Sequence, residues 1–212
     1  MTQNLHLLLQ NFFTKNPDIR SARSKKVVNR RALAKYIINE EGLNVNRYEA
    51  LVTALRRFEV EPIEKESLKA IEEINISTKD KIAIIYLEKT EEVLKNIVKI
   101  TSLVNFNKNE TLKFVQGSLS FKVFVDEYNV DAVKSIVPKR SILKIHHNIS
   151  ELNLVFPKYT PKVRGIISYV TSELTINKIN ITEIITGDPE LIIYVQSKDL
   201  LKAYETIKWL GE

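Results

Sequence analysis

Cysteine is absent from this chain of 212 residues, and glycine is scarce. Without thiols, the chain has no disulfide bonds, no thiol catalysis and no zinc or iron–sulfur site with cysteine ligands. Five glycines are present, and they form neither a phosphate-binding loop nor a dinucleotide-binding loop. The longest apolar run, Ile82 to Leu87, is far too short to span a bilayer, and no signal-peptide pattern is seen. We therefore expect a soluble cytoplasmic protein without a membrane partner.

Patterns that carry catalysis or bind metals are missing as well. His146 and His147 are neighbours, and neighbouring side chains on a strand point to opposite faces, so this pair cannot chelate one metal ion. Adjacent carboxylates such as Glu91 and Glu92 fall on faces predicted to be exposed, and no nucleophile motif accompanies them. We expect no catalytic residue, no metal site and no cofactor, and therefore a protein that is not an enzyme.

Positive charge is concentrated in the first part of the chain. The first 60 residues carry 11 Lys and Arg against 5 Asp and Glu, whereas the remaining 152 residues carry 21 of each sign. The whole net charge of +6 thus belongs to the N-terminal segment. A basic head joined to a neutral body indicates that the head contacts a polyanion and that the body has another task.

The basic head, residues 1–62, has the hydrophobic pattern of three short helices. Apolar residues recur at helical spacing in the first helix, which stops near Asn16-Pro17. The stretch 18–28 is rich in Lys and Arg but only weakly periodic. A second helix begins after Asn29, whose side chain can cap it, and ends at Gly42, because glycine tolerates a left-handed backbone.

The third helix begins at Asn46, which is predicted to form a capping box with Glu49. Three short helices with a glycine-containing turn fit a helix-turn-helix, in which the third helix enters the DNA major groove. The segment from Leu33 to Arg57 resembles the helix-turn-helix of small prokaryotic regulators, with a longer turn. DNA contacts are expected from Arg30, Arg31, Lys35, Arg47, Arg56 and Arg57. Docking of a protein partner on the same basic surface stays open as the alternative.

The body contains an internal duplication. Residues 82–133 align without a gap on residues 152–203, at an offset of 70. The offset places Gly117 on Gly187, each at the turn of a hairpin, and each copy has the order strand, helix, strand, turn, strand, helix. This order predicts an α+β fold with two tandem ferredoxin-like βαββαβ domains after the head, residues 70–148 and 149–212. The second domain lacks its own last strand, which the stretch 70–77 can supply.

Copy two resembles an ACT domain, the small regulatory module of amino-acid metabolism. The resemblance is carried by the turn from Thr160 to Ile166, by the stretch from Lys178 to Ile184 and by the strand from Leu191 to Val195. Copy one is similar but weaker, and the pair is similar to the tandem ACT tail of aspartokinases. A helical head followed by two such copies also resembles a group of archaeal ACT proteins that are predicted regulators.

The ACT resemblance implies an amino-acid effector, bound between modules at a helix N-terminus that favours a carboxylate. Carried over residue by residue, the ligand site comprises Thr160, Pro161, Lys162, Val163, Arg164, Gly165, Asn180, Ile181 and Thr182. Lys162 and Lys178 stand where the ACT pattern has glycines, so side chains occupy positions where backbone approaches a ligand. Whether the copies bind an effector or serve only as structural dimerisation modules stays open.

Dimerisation is predicted from a second apolar face on the sheet. Both faces of the strand 82–87 are apolar, and Ile192 and Tyr194 lie opposite the inward face of their strand, while helices cover one face only. Pairing the copies, and then two chains, would bury this face and present two heads to palindromic DNA. We predict a homodimeric DNA-binding transcriptional regulator that responds to an amino acid. The alternative is a non-enzymatic regulatory or docking subunit of an amino-acid biosynthetic enzyme.

Overall fold

The computed structural model describes residues 4–60, 65–158 and 165–210. By its internal contacts the chain divides into two compact units, residues 1–64 and 65–212. The first unit is the basic head, and the second contains the whole duplicated body.

The head is a small helical bundle around one apolar core. Its described helices are α1 (Leu5–Lys15), α2 (Pro17–Ser24), α3 (Arg30–Glu40) and α4 (Tyr48–Arg57). The core is formed by apolar residues of α1, α3 and α4, including Leu9, Phe12, Ile37, Leu51 and Leu55. Asn29 caps α3 as predicted, because its side chain accepts the N–H groups of Arg31 and Ala32. Gly42 follows α3 with φ 59, the left-handed conformation expected of a C-terminal glycine.

The helix α2 was not predicted from the weakly periodic stretch 18–28. It begins with Pro17, whose restricted φ suits the first turn of a helix. None of its residues is fully buried, so it lacks the apolar stripe that periodicity detects. Arg23 fastens this helix to the end of α4, because its Nη2 donates to the carbonyl oxygen of Leu55 at 2.8 Å.

The predicted capping box at Asn46 and Glu49 is wrong. Asn44 instead accepts the N–H of Asn46 and caps a short 3-10 turn, Val45–Arg47. The helix α4 continues from this turn and has no side-chain cap of its own. The 3-10 turn already supplies hydrogen bonds at the start of the helix, so the Asn46 side chain is not needed there.

The body is one six-stranded antiparallel sheet among its described residues, in the spatial order β2-β3-β1-β4-β6-β5. The strands are β1 (Asn75–Glu88), β2 (Leu112–Gln116), β3 (Ser120–Asp126), β4 (Ile142–Val155), β5 (Ile181–Gly187) and β6 (Glu190–Gln196). The helices are α5 (Lys65–Glu72), α6 (Glu91–Thr101), α7 (Val130–Ile136), α8 (Ile166–Ile176) and α9 (Leu200–Trp209).

The two central strands, β1 and β4, each have 14 residues and serve both copies. Early in β1, Ile76 pairs with Leu154, and later in β1, Ile84 pairs with His146. The 70-residue offset relates Ile84 to Leu154 and Ile76 to His146. It therefore converts each of these two pairings into the other. A local two-fold axis therefore passes between β1 and β4. The expected extra strand for copy two comes from 75–79, although residues 70–72 belong to α5.

Helices cover one face of the sheet and bury a separate apolar cluster for each copy. In copy one, α6 and α7 cover residues that include Ala83, Ile85 and Val123. In copy two, α5, α8 and α9 contribute to a cluster that includes Leu152 and Ile193. These strand residues alternate with a second set that points to the other face.

The other face is concave and has a core of its own. Ile82, Ile84, Phe124, Ile149 and Tyr194 are all 0% exposed there. Phe124 on β3 and Tyr194 on β6 have ring centroids 4.6 Å apart, although three strand spacings, about 14 Å on a flat sheet, separate their strands. The sheet is therefore rolled into a half-barrel. Rolling buries the second apolar face within one chain, so this face does not need the second chain that the sequence argument invoked.

Irregular backbone at the centre of β1 and β4 accompanies the roll. The pairing register of β1 with β4 shifts between Lys79 and Ile82. Within the two strands, Lys81 has φ 57 and Asn148 has φ 55. Bulges of this kind bend a strand and increase its local twist. The bend lies where one copy passes into the other, and it brings the two outer parts of the sheet towards each other.

Candidate functional site

Glu151 is the centre of a charged group at one end of the concave face. Lys113 on β2 donates to Oε2 of this carboxylate at 2.6 Å, and the Tyr194 hydroxyl donates to the same oxygen at 2.8 Å. The Glu151 side chain is 9% exposed and that of Lys113 is 30% exposed. The rolled sheet makes this contact possible, because three strand spacings separate β2 from β4. The nearly buried carboxylate is thus both neutralised and hydrogen-bonded.

A second ion pair fixes the loop that leads into β2. Lys79 Nζ lies 2.8 Å from Asp126 Oδ1 and donates to the carbonyl oxygen of Asn109 at 2.6 Å. The N–H of Thr111 donates to Asp126 Oδ2 at 2.7 Å. Asn109 itself has φ 57, a left-handed conformation. The loop is therefore held against the sheet by one buried carboxylate and one ammonium group.

These two ion pairs border a pocket of about 370 Å³ on the concave face. Its charged lining residues are Lys79, Glu110, Lys113 and Glu151. Asn153 also lines it, and its buried Oδ1 has no hydrogen-bond partner among the described residues. This volume lies in the range of small-molecule sites. The described lining residues of a second depression, of about 460 Å³, are Ser102, Leu103, Val104, Asn105 and Asn107. None of these five is charged, so the concave pocket offers more groups for binding a ligand.

The opposite end of the concave face is built around Glu183 on β5. The Tyr86 hydroxyl donates to its Oε1 at 2.5 Å, and Lys122 Nζ donates to the same oxygen at 2.6 Å. The ammonium groups of Lys122 and Lys144 lie 5.4 Å and 4.8 Å from the centroid of the Tyr86 ring, within cation–π range. The His146 ring lies 5.4 Å from the same ring, and its buried Nε2 has no partner in the described part of the chain.

Burial determines the protonation of the groups on this face. Burial, followed by the nearby carboxylate, raises the pKa of Tyr86 and of Tyr194, so both hydroxyls stay protonated and donate. Burial, together with the positive charge of Lys144, lowers the pKa of His146, so this ring is neutral near pH 7. The arrangement suits binding, since the charged groups already have partners that hold them in place.

Five of the predicted ligand residues, 160–164, lie outside the described residues. Gly165 precedes α8 with φ 85. Asn180 is exposed, and Ile181 and Thr182 are half-buried at the start of β5. Within one chain the helix α8 separates Gly165 from these three residues by about 16 Å, at 1.5 Å per residue. The described part of the predicted site is therefore split between the two ends of α8.

Lys178, which replaces a glycine of the ACT pattern, keeps a glycine-like backbone. Its φ is 59, and the following N–H, that of Ile179, donates to the carbonyl oxygen of Leu174 at 2.9 Å. This is the hydrogen bond of a Schellman motif, which ends a helix with a left-handed residue. The chain therefore retains the turn that glycine favours and carries a lysine side chain on it.

The predicted DNA-contacting cations lie on α3, on α4 and on the turn before α4. Those at the surface are Arg30, Arg31, Lys35, Arg56 and Arg57. Arg31 and Lys35 share one face of α3, as residues four apart do. Arg47 is half-buried and has an interaction within the chain. Arg47 and Arg57 lie at opposite ends of α4, about 15 Å apart along the axis, so the structure does not gather the six cations at one point.

Sequence reasoning missed the charged groups on the concave face. Lys113, Lys122, Glu151 and Glu183 each have an apolar residue next to them in their strand, and a polar residue in such a pattern is expected to face solvent. One signal was present, because the 70-residue offset places Lys113 on Glu183. Opposite charges at one position of both copies are compatible with side chains that reach across the local two-fold axis.

The predictions about histidines and metals can be compared with the described residues. His146 contacts Tyr86, whereas His147 Nδ1 contacts Glu127 on a different element, so the two rings do point apart. Across residues 4–60, 65–158 and 165–210, no group of three or more His, Asp or Glu is placed to hold a metal ion. In the same ranges, no helix combines the length and the apolar character that a membrane span requires.

The fold resembles regulatory parts of aspartate kinases. The aspartate kinase of Clostridium acetobutylicum matches with a TM-score of 0.54 and 19% identity, covering 65% of this chain and 34% of that one. The aspartokinase alpha and beta subunits match with 0.51 and 15%, covering 64% and 96%. The regulatory subunit of aspartate kinase from Thermus thermophilus matches with 0.51 and 10%, covering 65% and 97%. This chain thus spans about a third of the Clostridium enzyme and nearly the whole regulatory subunit.

No protein-family model and no curated sequence matches this chain. At identities of 10–19% the similarity to the solved structures is one of fold. The chain therefore shares the fold of the regulatory, ACT-type domains of aspartate kinases, and the ACT resemblance seen in copy two is supported at that level.

Proposed function

We propose that this chain is a non-enzymatic regulatory protein of amino-acid metabolism, whose body senses a small effector and controls an amino-acid biosynthetic enzyme. The observation that supports this most is the similarity to a separate regulatory subunit, which the match covers over 97% of its length. A body with the fold of a regulatory subunit suits a role in which it acts on another chain.

The strand order supports two ACT-type modules of ferredoxin-like topology. Copy one contributes the order β2, β3, second part of β1, first part of β4, and copy two contributes β5, β6, second part of β4, first part of β1. Each is the order of a βαββαβ unit, with the fourth strand beside the first. We infer that the modules are joined through their long strands and share one sheet.

We further propose that the effector site is completed in a homodimer. The residues carried over from the ACT pattern are 160–165, which precede α8 in the sequence, and 180–182, at the start of β5. In one chain α8 keeps these two sets about 16 Å apart. A two-fold pairing of copy two with copy two would place Gly165 of one protomer near Asn180 of the other, so the dimer would form the complete site.

The test is a kinetic assay with the aspartate kinase of the same organism. The expected result is that the purified full-length chain forms a complex with the enzyme and changes its inhibition by one L-amino acid. An Asn180→Ala variant should lose this effect, whereas Asn107→Ala, at another exposed position, should keep it. No complex, together with unchanged inhibition by all twenty amino acids, would contradict the regulatory proposal for this enzyme.

A second candidate function, DNA binding by the head, is favoured by one observation. Arg30, Arg31, Lys35, Arg56 and Arg57 are exposed, and none of them has an ion-pair partner among the described residues. The head also carries the whole net charge of +6. Exposed cations without acidic partners are what phosphate contacts require. In this alternative the body is the sensor of a helix-turn-helix regulator.

Salt dependence tests the second candidate. DNA binding through these residues predicts that log K falls linearly with log salt, and that Arg30, Arg31, Arg56 and Arg57→Ala together reduce the slope by about 3 to 4. A matched body variant, Lys89, Lys99, Lys108 and Lys202→Ala, removes equal charge and should leave the slope unchanged. Weak binding with the same slope in both variants would reject the head as a DNA-binding unit.

A further inference from the structure

The pocket of about 370 Å³ on the concave face has none of the residues carried over from the ACT pattern, 160–165 and 180–182, among its described lining residues. We propose that this pocket binds a small carboxylate with a hydrogen-bond donor on the adjacent carbon, that is, a free α-amino acid or α-hydroxy acid. It would be a second effector site for the regulatory function proposed above, and its biological meaning rests on that function. The recognition itself is argued from the pocket's own chemistry.

One part of the wall offers hydrogen-bond donors. An ammonium group has three N–H donors. Lys113 Nζ uses one of them on Glu151, and Lys79 Nζ uses two, on Asp126 and on the carbonyl oxygen of Asn109. The lysine side chains are 30% and 29% exposed, whereas the Glu151 and Asp126 carboxylates are only 9% and 6% exposed. The ammonium groups therefore retain donors for a carboxylate in the pocket.

Another part of the wall offers an acceptor. The Oδ1 of Asn153 has no hydrogen-bond partner among the described residues and is covered in this structure, so a ligand would reach it after a rotation of the Asn153 side chain into the pocket that this residue lines. A covered acceptor without a partner destabilises the fold, because it has lost its hydrogen bonds to water. A ligand that brings an N–H or O–H to this oxygen recovers that cost. The same ligand must therefore carry both a carboxylate and a donor.

Charge balance narrows the choice of ligand. The lining contains two lysines, Lys79 and Lys113, and two glutamates, Glu110 and Glu151, and Lys79 is also paired with Asp126, so the carboxylates outnumber the ammonium groups by one. A dianion such as a phosphate monoester would meet both glutamates without compensation. A zwitterionic amino acid or a singly charged hydroxy acid matches the lining better. The size of the pocket also suits a small molecule.

The experiment is a calorimetric titration of the full-length chain with single probes. The probes are the twenty L-amino acids and L-lactate, with acetate and ethanolamine as fragments that satisfy only one part of the wall. We expect at least one amino or hydroxy acid to bind, with acetate and ethanolamine at least about tenfold weaker, since each loses one set of hydrogen bonds. Preference for amino or for hydroxy acids identifies the donor as ammonium or hydroxyl.

Matched variants locate the binding. Lys113→Met and Asn153→Leu should each weaken binding at least about tenfold. Lys122→Met is the control, because it breaks an ion pair of the same 2.6 Å length on the same face, outside the pocket. It should leave binding unchanged. Asn153→Leu removes an acceptor without a partner, so it should keep the protein folded, which thermal unfolding verifies.

Three outcomes would overturn the proposal that this pocket binds the ligand. The first is that no probe binds at millimolar concentration. The second is that Lys122→Met weakens binding as much as Lys113→Met does. The third is that Asn180→Ala abolishes binding while Asn153→Leu does not, which would place the effector at the site that contains Asn180. That last result would leave the regulatory function standing and reject this pocket.

Discussion

The head and the body treat their charges in opposite ways. In the body, Lys79, Lys113 and Lys122 each lie within 2.8 Å of a carboxylate that is largely buried. In the described head, with Arg47 left aside, no Lys or Arg forms an ion pair with Asp or Glu. The body uses its cations to hold the shape of its sheet, whereas the head keeps them at the surface. Charges without partners repel one another, which lowers the stability of the fold, and they are available to bind another molecule.

The largest expected loss of stability follows from removal of the Glu151 carboxylate in the body. Glu151→Ala leaves the Lys113 ammonium and the Tyr194 hydroxyl without their partner, so the free energy of unfolding should fall by about 3 kcal/mol. Urea denaturation measures the change. Glu91→Ala is the control, since its contact with Lys95 is fully at the surface, and it should cost below about 0.5 kcal/mol. Equal losses in both variants would mean that burial does not distinguish the body's ion pairs.

Salt should affect the two regions differently. Between 50 and 500 mM NaCl, screening of repulsion should stabilise the head by up to about 1 kcal/mol. The body should gain less, because its charges are paired and salt weakens attraction as well. Amide hydrogen exchange of the full chain measures the opening free energy of both regions in one sample. Equal gains in head and body amides would contradict the difference in charge pairing.

Two lysines with a left-handed backbone allow a comparison that does not involve charge pairing. Lys178 follows α8 with φ 59, and Lys26 follows α2 with φ 61. Glycine adopts this conformation without steric cost, so Lys178→Gly and Lys26→Gly should each stabilise their region by about 0.5–1 kcal/mol. Thermal unfolding and hydrogen exchange measure the gains. Lys178→Ala keeps the strain and should show no gain, and stabilisation by alanine as well would point to the loss of the lysine charge instead.

The smallest expected effect is a pH dependence confined to the body. Burial lowers the pKa of His146 in the folded state, so the unfolded chain binds its proton more readily. Stability from the neutral ring is present above the unfolded pKa of about 6.5 and is lost as pH falls through the folded pKa. His146→Gln should flatten this part of the stability profile, measured by urea denaturation at several pH values. His147→Gln is the matched variant, and an identical flattening there would exclude His146 as the cause.

Much of the element order could be predicted from sequence. Apolar residues at helical spacing predicted α1, which ends at Lys15, and Gly117 and Gly187 marked both hairpins, because periodicity and turn residues are local signals. The helix α2 was missed because it buries no residue fully. The capping at Asn46 was wrong because Asn44, two residues earlier, caps a 3-10 turn first.

The roll of the sheet and the concave site could not be predicted from local sequence patterns. Lys113 and Glu151 are far apart in sequence and three strand spacings apart in the sheet, and their contact depends on curvature produced by bulges near Lys81 and Asn148. A lysine on a half-buried strand has the same local pattern whether it faces solvent or a carboxylate across a half-barrel. The orphan Oδ1 of Asn153 is likewise a property of the folded sheet alone.

The long shared strands make the two copies depend on each other for a complete sheet. A division between residues 148 and 149 would fall within β4, and the complementary stretch of β1 would remain with the other piece. Each piece would then lack one strand of its sheet, so we expect neither copy to fold when it is produced alone. Because both copies use β1 and β4, a mutation that bends these strands should alter both copies.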